Sequence, residues 1–481
     1  MLGAIAFGPH LRHGGFVADD WTDLAVYRYG PHHGGLGAVA DYHRQDLPSA
    51  NHATQPVLFA IEYGLLGGHM HLHLLLAIAL GALLSLALYA LARELRAPPW
   101  LGLMLALLAF VYPLSDANRL WPAAGWNNLA VACYFAGATL ALRGLRSRAV
   151  AHHAAAFVLF VIAITTYELT VPAVALTAVL YLRRTSLPGA AVRWAADIAA
   201  AVIGVLLVEA ITPRAPLGTT GEKLHHAGVI ARESLSVWAD TLWPFGGLGR
   251  AGGLIVLAVL VALVAWRAPR RLPLAGLALL FVVLGYAALV PGEEFYTPLY
   301  PGLGNRVNLM AGIGMIALIL VLVGSLARDS PLVIGAVSFV LVIGYVHDLR
   351  GHADSYDRSY AIQARQLHQL KALVPQPPPG TTVYMRQRTP ETAPGIPTFN
   401  WRWDLSGATK LLWHDGSDSG YPILHGTRIV CAPDLVYPEG NGLAANFGAG
   451  YGHAILVDPD RGRVQGLDSA RECRRAVPAT M

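Results

Sequence analysis

The sequence is short of charged residues, because Asp, Glu, Lys and Arg make up only 14% of its 481 residues, against 54% hydrophobic. A soluble globular protein carries about 25% charged residues, so this composition excludes an ordinary soluble domain. Lysine is rarer still and occurs only at positions 223, 371 and 410. The other cations are arginines spread over short loops rather than gathered in one patch, so no nucleic-acid partner is expected.

Repeated apolar runs dominate instead, several approaching the roughly 20 residues that a membrane-spanning helix needs. The pattern predicts an all-α polytopic membrane bundle of about 10–11 transmembrane helices, followed by a small C-terminal α+β extracytoplasmic domain. Met1–Phe7 is too short to span alone, and His10 and Arg12 suit lipid poorly, so we expect the first span to be truncated at its start. The full segments are Leu74–Ala92, Trp100–Leu114, Leu129–Leu145, Ala149–Thr166, Leu169–Leu182, Trp194–Thr212, Gly252–Trp266, Leu272–Val290, Leu309–Ala327 and Pro331–Val346.

Arginine placement sets the expected orientation, because loops rich in Lys and Arg stay in the cytoplasm. Every second short loop carries arginines: Arg93 and Arg96, Arg143 to Arg148, Arg183 and Arg184, Arg267 to Arg271, and Arg328. The alternate loops and the region after His347 are therefore expected outside. We predict a transmembrane domain at 1–350 with a large first outer loop at about 9–73, and a soluble domain at 351–481.

The C-terminal region has a different composition. Ala353–Val374 reads as an amphipathic helix, and Pro375–Gly380 as a stiff linker. Strand-like runs follow at Thr382–Met385, Thr427–Cys431 and His453–Val457. Cys431 and Cys473 either form a disulfide in an oxidising compartment or remain two thiols, and the sequence leaves both open.

The most informative polar feature is the acidic pair Asp19-Asp20, just after the apolar N-terminal run and ahead of Trp21. A partly desolvated carboxylate can accept a proton from an attacking hydroxyl. The structural alternative is that the pair caps a helix over Trp21–Tyr29, since Asp is a favoured N-cap residue. We interpret Asp19 and Asp20 as catalytic candidates.

Other candidates lie in the predicted outer loops. A fixed arginine at the outer interface suits a phosphate, for which its planar donors are well arranged. Arg306, Lys223 and Arg119 are the phosphate-binding candidates, with Glu293 and Glu294 as alternative ion partners for Arg306. Glu168 is expected either to contact the substrate or to pair with an arginine. The remaining substrate-cavity candidates are Asp116, Tyr27, Arg28 and His52.

Three alternating histidines, His69, His71 and His73, stand before the Leu74 segment. On a helix His69 and His73 share a face and His71 does not, so a three-ligand metal site is not favoured over polar packing. No metal site is predicted from them.

The chain resembles the GT-C superfamily of integral-membrane glycosyltransferases, in particular bacterial members related to protein mannosyltransferases and aminoarabinose transferases. The resemblance covers the topology of roughly the first 350 residues and rests mainly on Asp19-Asp20 in a large first outer loop. The Tyr167-Glu168 corner and Asn305-Arg306 before a late span support it. It implies that one acid of the pair acts as base or positions the acceptor.

The expected activity is inverting transfer of a sugar from a polyprenyl-phosphate donor to a hydroxyl acceptor of the cell envelope (glycan, lipid or protein). The protein would be integral to the bacterial plasma membrane, multi-pass, with its C-terminal domain outside. No cofactor is required, although the double Asp leaves a divalent ion open. The rival interpretations are a transporter or lipid flippase for envelope precursors, and a non-catalytic assembly protein in which Asp19 and Asp20 are closed to solvent.

Overall fold

The structure is a computed structural model and describes residues 1–44, 52–182, 184–211, 219–292, 296–439 and 448–477. The chain divides into two compact units. The first, which we call the helical unit, comprises 1–9, 49–55 and 74–353. The second, the mixed unit, comprises 10–48, 56–73 and 354–481. Most of the first loop thus packs with the C-terminal region, whereas the sequence division assigned that loop to the transmembrane domain.

Helices account for most of the described chain. They are, in order, α1 Leu2–His13, α2 Asp19–Tyr29, α3 Gly37–Arg44, α4 Gln55–Leu66, α5 Met70–Glu94, α6 Pro99–Phe110, α7 Ala117–Leu120, α8 Gly125–Ser147, α9 Val150–Thr166, α10 Val171–Ala175, α11 Ala178–Tyr181, α12 Leu187–Ile211, α13 Thr220–Leu242, α14 Gly249–Arg267, α15 Leu272–Ala287, α16 Leu309–Leu326, α17 Pro331–Leu373, α18 Arg402–Trp413 and α19 Ala470–Ala476.

The predicted fold class is confirmed: a helical protein of the multi-pass membrane type with a small strand-containing C-terminal region. Within the described residues, seven helical segments are long and apolar enough to cross a membrane. They correspond to seven of the ten predicted segments. Their outward faces are apolar, as at Ile255 and Trp266, which are 63% and 75% exposed in the protein alone. Lipid is the solvent that such a surface suits.

The other three predicted segments are shorter than a span. α6 and α9 are apolar helices of 12 and 17 residues. Leu169–Leu182 is broken into a short 3-10 turn, α10 and α11. At the break, side-chain donors occupy two backbone carbonyls. The Thr177 hydroxyl donates a hydrogen bond to the carbonyl oxygen of Ala173, and the indole N–H of Trp194 donates one to the carbonyl oxygen of Ala175.

The last apolar segment belongs to a helix longer than predicted. Pro331–Val346 and Ala353–Val374 were expected as two helices, but α17 runs without interruption for 43 residues. Gly351 is the only glycine or proline between those two segments, and a single glycine costs a helix only about 1 kcal/mol. Amphipathic sequence after an apolar run therefore continued the helix rather than ending it.

The strands belong to the mixed unit, and the predicted strand-like runs coincide with three of them. They are β1 Thr382–Arg386, β2 Glu391–Ala393, β3 Ile396–Pro397, β4 Ser419–Ile423, β5 Arg428–Cys431, β6 Leu435–Glu439, β7 Ala449–Gly450, β8 Ala454–Asp458 and β9 Arg463–Gly466.

The main sheet has the order β4-β1-β8-β9, with β4 and β8 parallel to β1 and β9 antiparallel to β8. The central strand buries three consecutive residues, Val383 to Met385, as a strand covered on both faces does. A second, antiparallel sheet has the order β5-β6-β7. The hydroxyl of Tyr384 donates to the carbonyl of Val436 at 2.8 Å and joins the two sheets.

Cys431 on β5 and Cys473 on α19 form a disulfide, with their Cα atoms 5.8 Å apart. Of the two alternatives that the sequence left open, the structure has the disulfide. Cys473 lies in the core of the mixed unit with Tyr384, Val436 and Leu467. The bridge thus fastens the last helix to the small sheet.

Candidate functional site

The acidic pair lies at the start of α2 in the mixed unit. Asp20 is fully buried, and its Oδ2 accepts a hydrogen bond from the backbone N–H of Val17 at 2.8 Å. Asp19 is partly exposed. The residue before the pair, Ala18, has φ +53° and ψ −118°, a conformation that costs a non-glycine residue free energy. The two acids therefore have different environments. Neither is the N-cap, because α2 already begins at Asp19 and Ala18 precedes it without a side-chain cap bond, so the capping alternative is not what the structure has.

The side chain that holds Asp19 comes from the opposite end of the chain. The indole Nε1–H of Trp403, in the first turn of α18, donates to Asp19 Oδ1 at 2.8 Å. Trp403 stacks on Trp401 with ring centroids 5.3 Å apart and planes inclined by 9°. Phe399, just before these tryptophans, has φ +62°. The partly exposed Asp19 thus lies against a stacked aromatic pair. Each of the two chain segments that form the site contains one residue with a strained backbone, Ala18 in the first and Phe399 in the second.

Sequence reasoning missed both tryptophans. The available signal was the run Asn400-Trp401-Arg402-Trp403-Asp404, in which two tryptophans stand close together in an otherwise polar stretch. Tryptophan exposes a flat apolar face and an N–H donor, the combination that polar ring ligands require. Nothing in the sequence indicated which acid this run contacts.

Helices α2 and α18 are packed closely enough to fix this geometry. A Cβ at Gly407 would lie 2.6 Å from the backbone carbon and oxygen of Trp21. The Thr22 hydroxyl donates to the carbonyl of Trp403 at 2.6 Å. Trp21 is anchored in turn, because its indole donates to Gln363 at 2.7 Å. The backbones of the two helices are therefore in direct contact where Asp19 meets Trp403.

Tyr27 and Arg28, two predicted cavity residues, are on α2 but two turns further along. Eight residues of α-helix separate Tyr27 from Asp19, about 12 Å along the axis. Arg28 is exposed, and the Tyr27 hydroxyl accepts from the backbone N–H of Gly35 at 3.4 Å. The structure thus does not bring these two residues to the acidic pair.

In the helical unit, two predicted motifs are joined. The carboxylate of Asp116 accepts from the side-chain amide of Asn305 at 2.7 Å, and the Asn305 amide oxygen accepts from the N–H of Ala117 at 3.1 Å. The Asn118 amide donates to the carbonyl of Arg306 at 3.2 Å. Asp116 and Arg306, predicted separately from two loops, therefore belong to one hydrogen-bonded cluster.

The guanidinium of Arg306 lies between aromatic rings. Its Cζ is 5.1 Å from the ring centroid of Trp121 and 5.5 Å from that of Tyr296, and Nη2 donates to the Tyr296 hydroxyl at 3.0 Å. Such a site keeps the planar cation in one orientation. Arg306 is partly exposed, so its cation remains accessible to an anion. Glu293 and Glu294, its alternative partners, lie outside the described residues.

Glu168 pairs with His52, another residue predicted to line the substrate cavity. His52 Nδ1 lies 2.8 Å from Glu168 Oε2, and both side chains are partly exposed. Tyr167, beside Glu168, hydrogen-bonds the side chain of Arg306. His52, Glu168 and Arg306 therefore lie in the same region of the helical unit.

Arg119 is placed differently from Arg306. It is 1% exposed, and its Nη2 donates to the carbonyl of Tyr112 and the hydroxyl of Ser115. Burial lowers the pKa of Arg119 to about 10, while the charge of Asp116 opposes that change, so it stays protonated at neutral pH. The guanidinium of Arg119 is thus enclosed, and its hydrogen bonds go to nearby groups of the protein.

Lys223 lies in the first turn of α13 and is partly exposed. One turn further, His226 is buried, and its ring Nε2 bonds the carbonyl of Tyr296 at 3.2 Å. Helix α13 therefore carries Lys223 and also bonds the backbone of Tyr296, the residue whose hydroxyl accepts from Arg306.

A further residue absent from the sequence prediction is His352, on α17. Its Nδ1 lies 2.6 Å from Asp116 Oδ2. The Asp116 side chain is 1% exposed and that of His352 is 45% exposed. The histidine thus supplies a polar partner to a carboxylate that is otherwise enclosed. It lies between the two segments predicted as helices, and nothing in the sequence there indicated this contact.

Comparison with known proteins finds likenesses among solved structures but none in sequence. No protein-family model matches the chain, and no curated protein sequence matches it. The structure is similar to that of the oligosaccharyltransferase of Archaeoglobus fulgidus, solved tethered through a disulfide bond to an acceptor peptide containing the NVT sequon. The TM-score is 0.41, the identity is 13%, and the alignment covers 86% of this chain and 60% of that chain. The chain therefore spans about three fifths of that neighbour's length.

His69, His71 and His73, for which polar packing was favoured over a metal site, lie in different environments. His73 is buried, with Nδ1 2.6 Å from Glu62 Oε1 and Nε2 2.9 Å from the carbonyl oxygen of Gly67. His69 and His71 are exposed. Within the described residues no group of three or more His, Cys, Asp or Glu side chains has metal-binding geometry.

Two chemical capabilities follow from these geometries. The mixed unit has a partly exposed carboxylate oriented by an indole donor, which is suited to accepting a proton. The helical unit has a partly exposed arginine held between aromatic rings, which is suited to binding a phosphate.

Proposed function

We propose that the protein is a glycosyltransferase that transfers a sugar from a polyprenyl-phosphate donor to a hydroxyl acceptor of the cell envelope, with inversion. Asp19 takes the proton from the acceptor hydroxyl as its oxygen attacks the anomeric carbon. The bond from that carbon to the phosphate oxygen breaks, and polyprenyl phosphate leaves with the electron pair. Arg306 neutralises the charge that develops on the phosphate.

The observation that carries the proposal is the site of Asp19. The acid is partly exposed, receives an indole hydrogen bond at 2.8 Å, and lies against a stacked tryptophan pair. Proton acceptance requires a carboxylate that is oriented and accessible, and sugar rings pack on flat aromatic faces. Asp20, fully buried and bonded to the Val17 N–H, has the less suitable position of the two.

The proposed location is the bacterial plasma membrane with the mixed unit outside the cytoplasm. The disulfide between Cys431 and Cys473 supports this side, because disulfides persist in oxidising compartments. The alternation of arginine-rich loops supports it independently.

Substitution tests the assignment. Membranes from a deletion strain, complemented with each variant, are supplied with a panel of radiolabelled polyprenyl-phosphate hexoses and pentoses. The complemented cell envelopes are then compared by mass spectrometry. We expect Asp19→Asn to lower transfer by about 10²-fold or more, the usual contribution of a general base. Asp20→Asn keeps an acceptor for the Val17 N–H and should retain more activity than Asp19→Asn.

Asp460→Asn is the matched control, because Asp460 is an exposed acid of the same unit, in a loose surface ion pair with Arg388 at 3.7 Å. Full transfer by Asp19→Asn would contradict the proposal.

A transporter or flippase is the second candidate, and one observation favours it. α12 buries Arg193 and Asp197 as an ion pair within a candidate membrane span, and the Tyr181 hydroxyl donates to Asp197 at 2.7 Å. Ionisable groups at membrane depth mark transport pathways in many proteins. Reconstituted protein that moves a fluorescent polyprenyl-phosphate lipid between leaflets, and loses this activity in Asp197→Asn, would establish that function.

A further inference from the structure

The C-terminal region contributes a donor to the candidate base, and this has a consequence for the proposed reaction. We propose that Trp403 is a positioning residue for Asp19: its indole N–H orients the carboxylate and favours the ionised form. This inference rests on the proposed function, in which Asp19 is the base. It assigns the C-terminal region a part in acid–base chemistry.

The indole is fixed before any substrate binds. Trp403 stacks on Trp401, and its backbone carbonyl accepts from the Thr22 hydroxyl at 2.6 Å. The Asp404 carboxylate accepts from the backbone N–H of Leu405 at 2.6 Å and of Asn400 at 3.2 Å, which secures the start of α18. The indole N–H of Trp403 therefore has little freedom to move away from Asp19. A preorganised hydrogen-bond donor of this kind needs no reorganisation during the reaction.

The acid end is fixed as well. Asp19 is in the first turn of α2, immediately before Asp20, whose Oδ2 accepts from the Val17 N–H. Gly407 permits the backbone contact between α2 and α18, since any Cβ there would meet Trp21. The distance from the indole nitrogen to Asp19 is thus set by two helices rather than by one flexible side chain.

The local charges make such a donor useful. Asp20 is adjacent in sequence. Asp404 on α18 also interacts electrostatically with Asp19, although burial, the larger cause, raises the pKa of Asp404 well above its usual value and so reduces its charge. Neighbouring carboxylates disfavour ionisation of Asp19, whereas a hydrogen bond to its ionised form favours it. Without the indole, Asp19 would bind its proton at higher pH and act as a base over a narrower range.

The first test is spectroscopic and independent of transfer. Protein labelled with 5-fluorotryptophan, in nanodiscs, is titrated between pH 3 and 8 and followed by ¹⁹F NMR. The Trp403 resonance, assigned by its loss in Trp403→Phe, should titrate in the wild-type protein and lose that titration in Asp19→Asn. A resonance that does not move with pH, or that titrates equally in Asp19→Asn, overturns the inference.

Trp413 is the matched internal control. It lies at the end of the same helix, and its indole donates to the carbonyl of Val374 at 3.0 Å, which does not titrate. Its resonance, assigned with Trp413→Phe, should stay constant over the same range. The comparison separates the local effect of Asp19 from general changes in the fold.

The second test uses transfer. Trp403→Phe should lower kcat by about 10- to 100-fold, the usual effect of losing a residue that orients a reacting group. The acidic limb of the pH profile should move to higher pH, with the KM for the donor unchanged. Trp413→Phe should show the wild-type profile. A loss in Trp403→Phe that is equal at every pH indicates a structural role only and contradicts the inference.

The outcomes distinguish this inference from the proposed function. Full transfer by Asp19→Asn contradicts the proposed function, in which Asp19 is the base, whereas the NMR experiment still tests the hydrogen bond from Trp403. An inactive Asp19→Asn with a wild-type pH profile for Trp403→Phe defeats only the role of Trp403.

Discussion

The indole nitrogen of Trp403 lies 2.8 Å from the carboxylate of Asp19, although 384 positions separate the two residues. Both residues belong to the mixed unit, in which loop residues 10–48 and 56–73 pack with residues 354–481. The candidate base therefore receives a hydrogen bond from the C-terminal region of the chain. A C-terminal truncation would remove the partner of Asp19 as well as the sheets.

The contact between α2 and α18 depends on Gly407. Gly407→Ala places a methyl group 2.6 Å from the backbone of Trp21, where no side chain can yield. We expect destabilisation by about 1–3 kcal/mol, as for overpacking, and weaker transfer because Trp403 moves away from Asp19. Thermal unfolding and the transfer assay measure the two effects. Gly450→Ala, where a Cβ meets no neighbouring atom, should be close to wild type, and equal effects at both positions would refute this explanation.

Arg306→Lys keeps the positive charge but loses the planar group between Trp121 and Tyr296. We expect the KM for the polyprenyl-phosphate donor to rise by about tenfold, which corresponds to about 1.4 kcal/mol, within the range for such cation–aromatic sites. Arg250→Lys, at an exposed arginine of the same unit that bonds Ser236, is the control. An unchanged donor KM in Arg306→Lys would remove Arg306 from the phosphate site.

The disulfide closes a loop over a sequence separation of 42. Chain entropy predicts that it stabilises the mixed unit by about 4 kcal/mol. The double variant Cys431→Ser, Cys473→Ser should unfold at lower temperature, and a reductant should lower the wild-type midpoint in the same way. The reductant should have no further effect on the double variant. Equal midpoints for both proteins without reductant would show that the bridge does not form.

Asp418 should make the mixed unit less stable as pH rises. Burial raises the pKa of Asp418 from 3.8 to about 6, and the backbone N–H of Thr381, at 3.0 Å, partly opposes this. A carboxyl group that binds its proton more tightly when folded contributes most below pH 4, and the contribution is lost between about pH 4 and 6. The advantage of wild type over Asp418→Asn should fall by ~1 kcal/mol over that range, once solvent screening is allowed for.

Asp415 provides a contrast of opposite sign. Hydrogen bonds from Ser417 lower the pKa of Asp415. Wild type should therefore gain stability relative to Asp415→Asn as pH rises through about 4. Unfolding midpoints measured from pH 3 to 7 test both residues, and parallel curves for the two variants would disprove the assignment.

The sequence was sufficient for the helical, membrane-type fold because span length and apolarity are local properties of the chain. It also located α2 and three of the strands, since their patterns are complete within a few residues. It did not foresee the break after Ala175 or the continuity of α17. The break depends on side chains such as that of Trp194, which reaches the carbonyl of Ala175 from another helix. The continuity of α17 reflects the small cost of one glycine, Gly351, within a helix.

The candidate site shows the same division. The sequence by itself identified Asp19, Asp20, Asp116, Glu168 and Arg306, because ionisable groups at the edges of apolar runs are costly and conspicuous. Only the tertiary structure distinguished Asp19 from Asp20, joined Asp116 to Asn305 and His352, and brought Trp403 to Asp19. The physical reason is that these choices depend on burial and on hydrogen bonds between residues far apart in the chain, and a linear pattern contains neither.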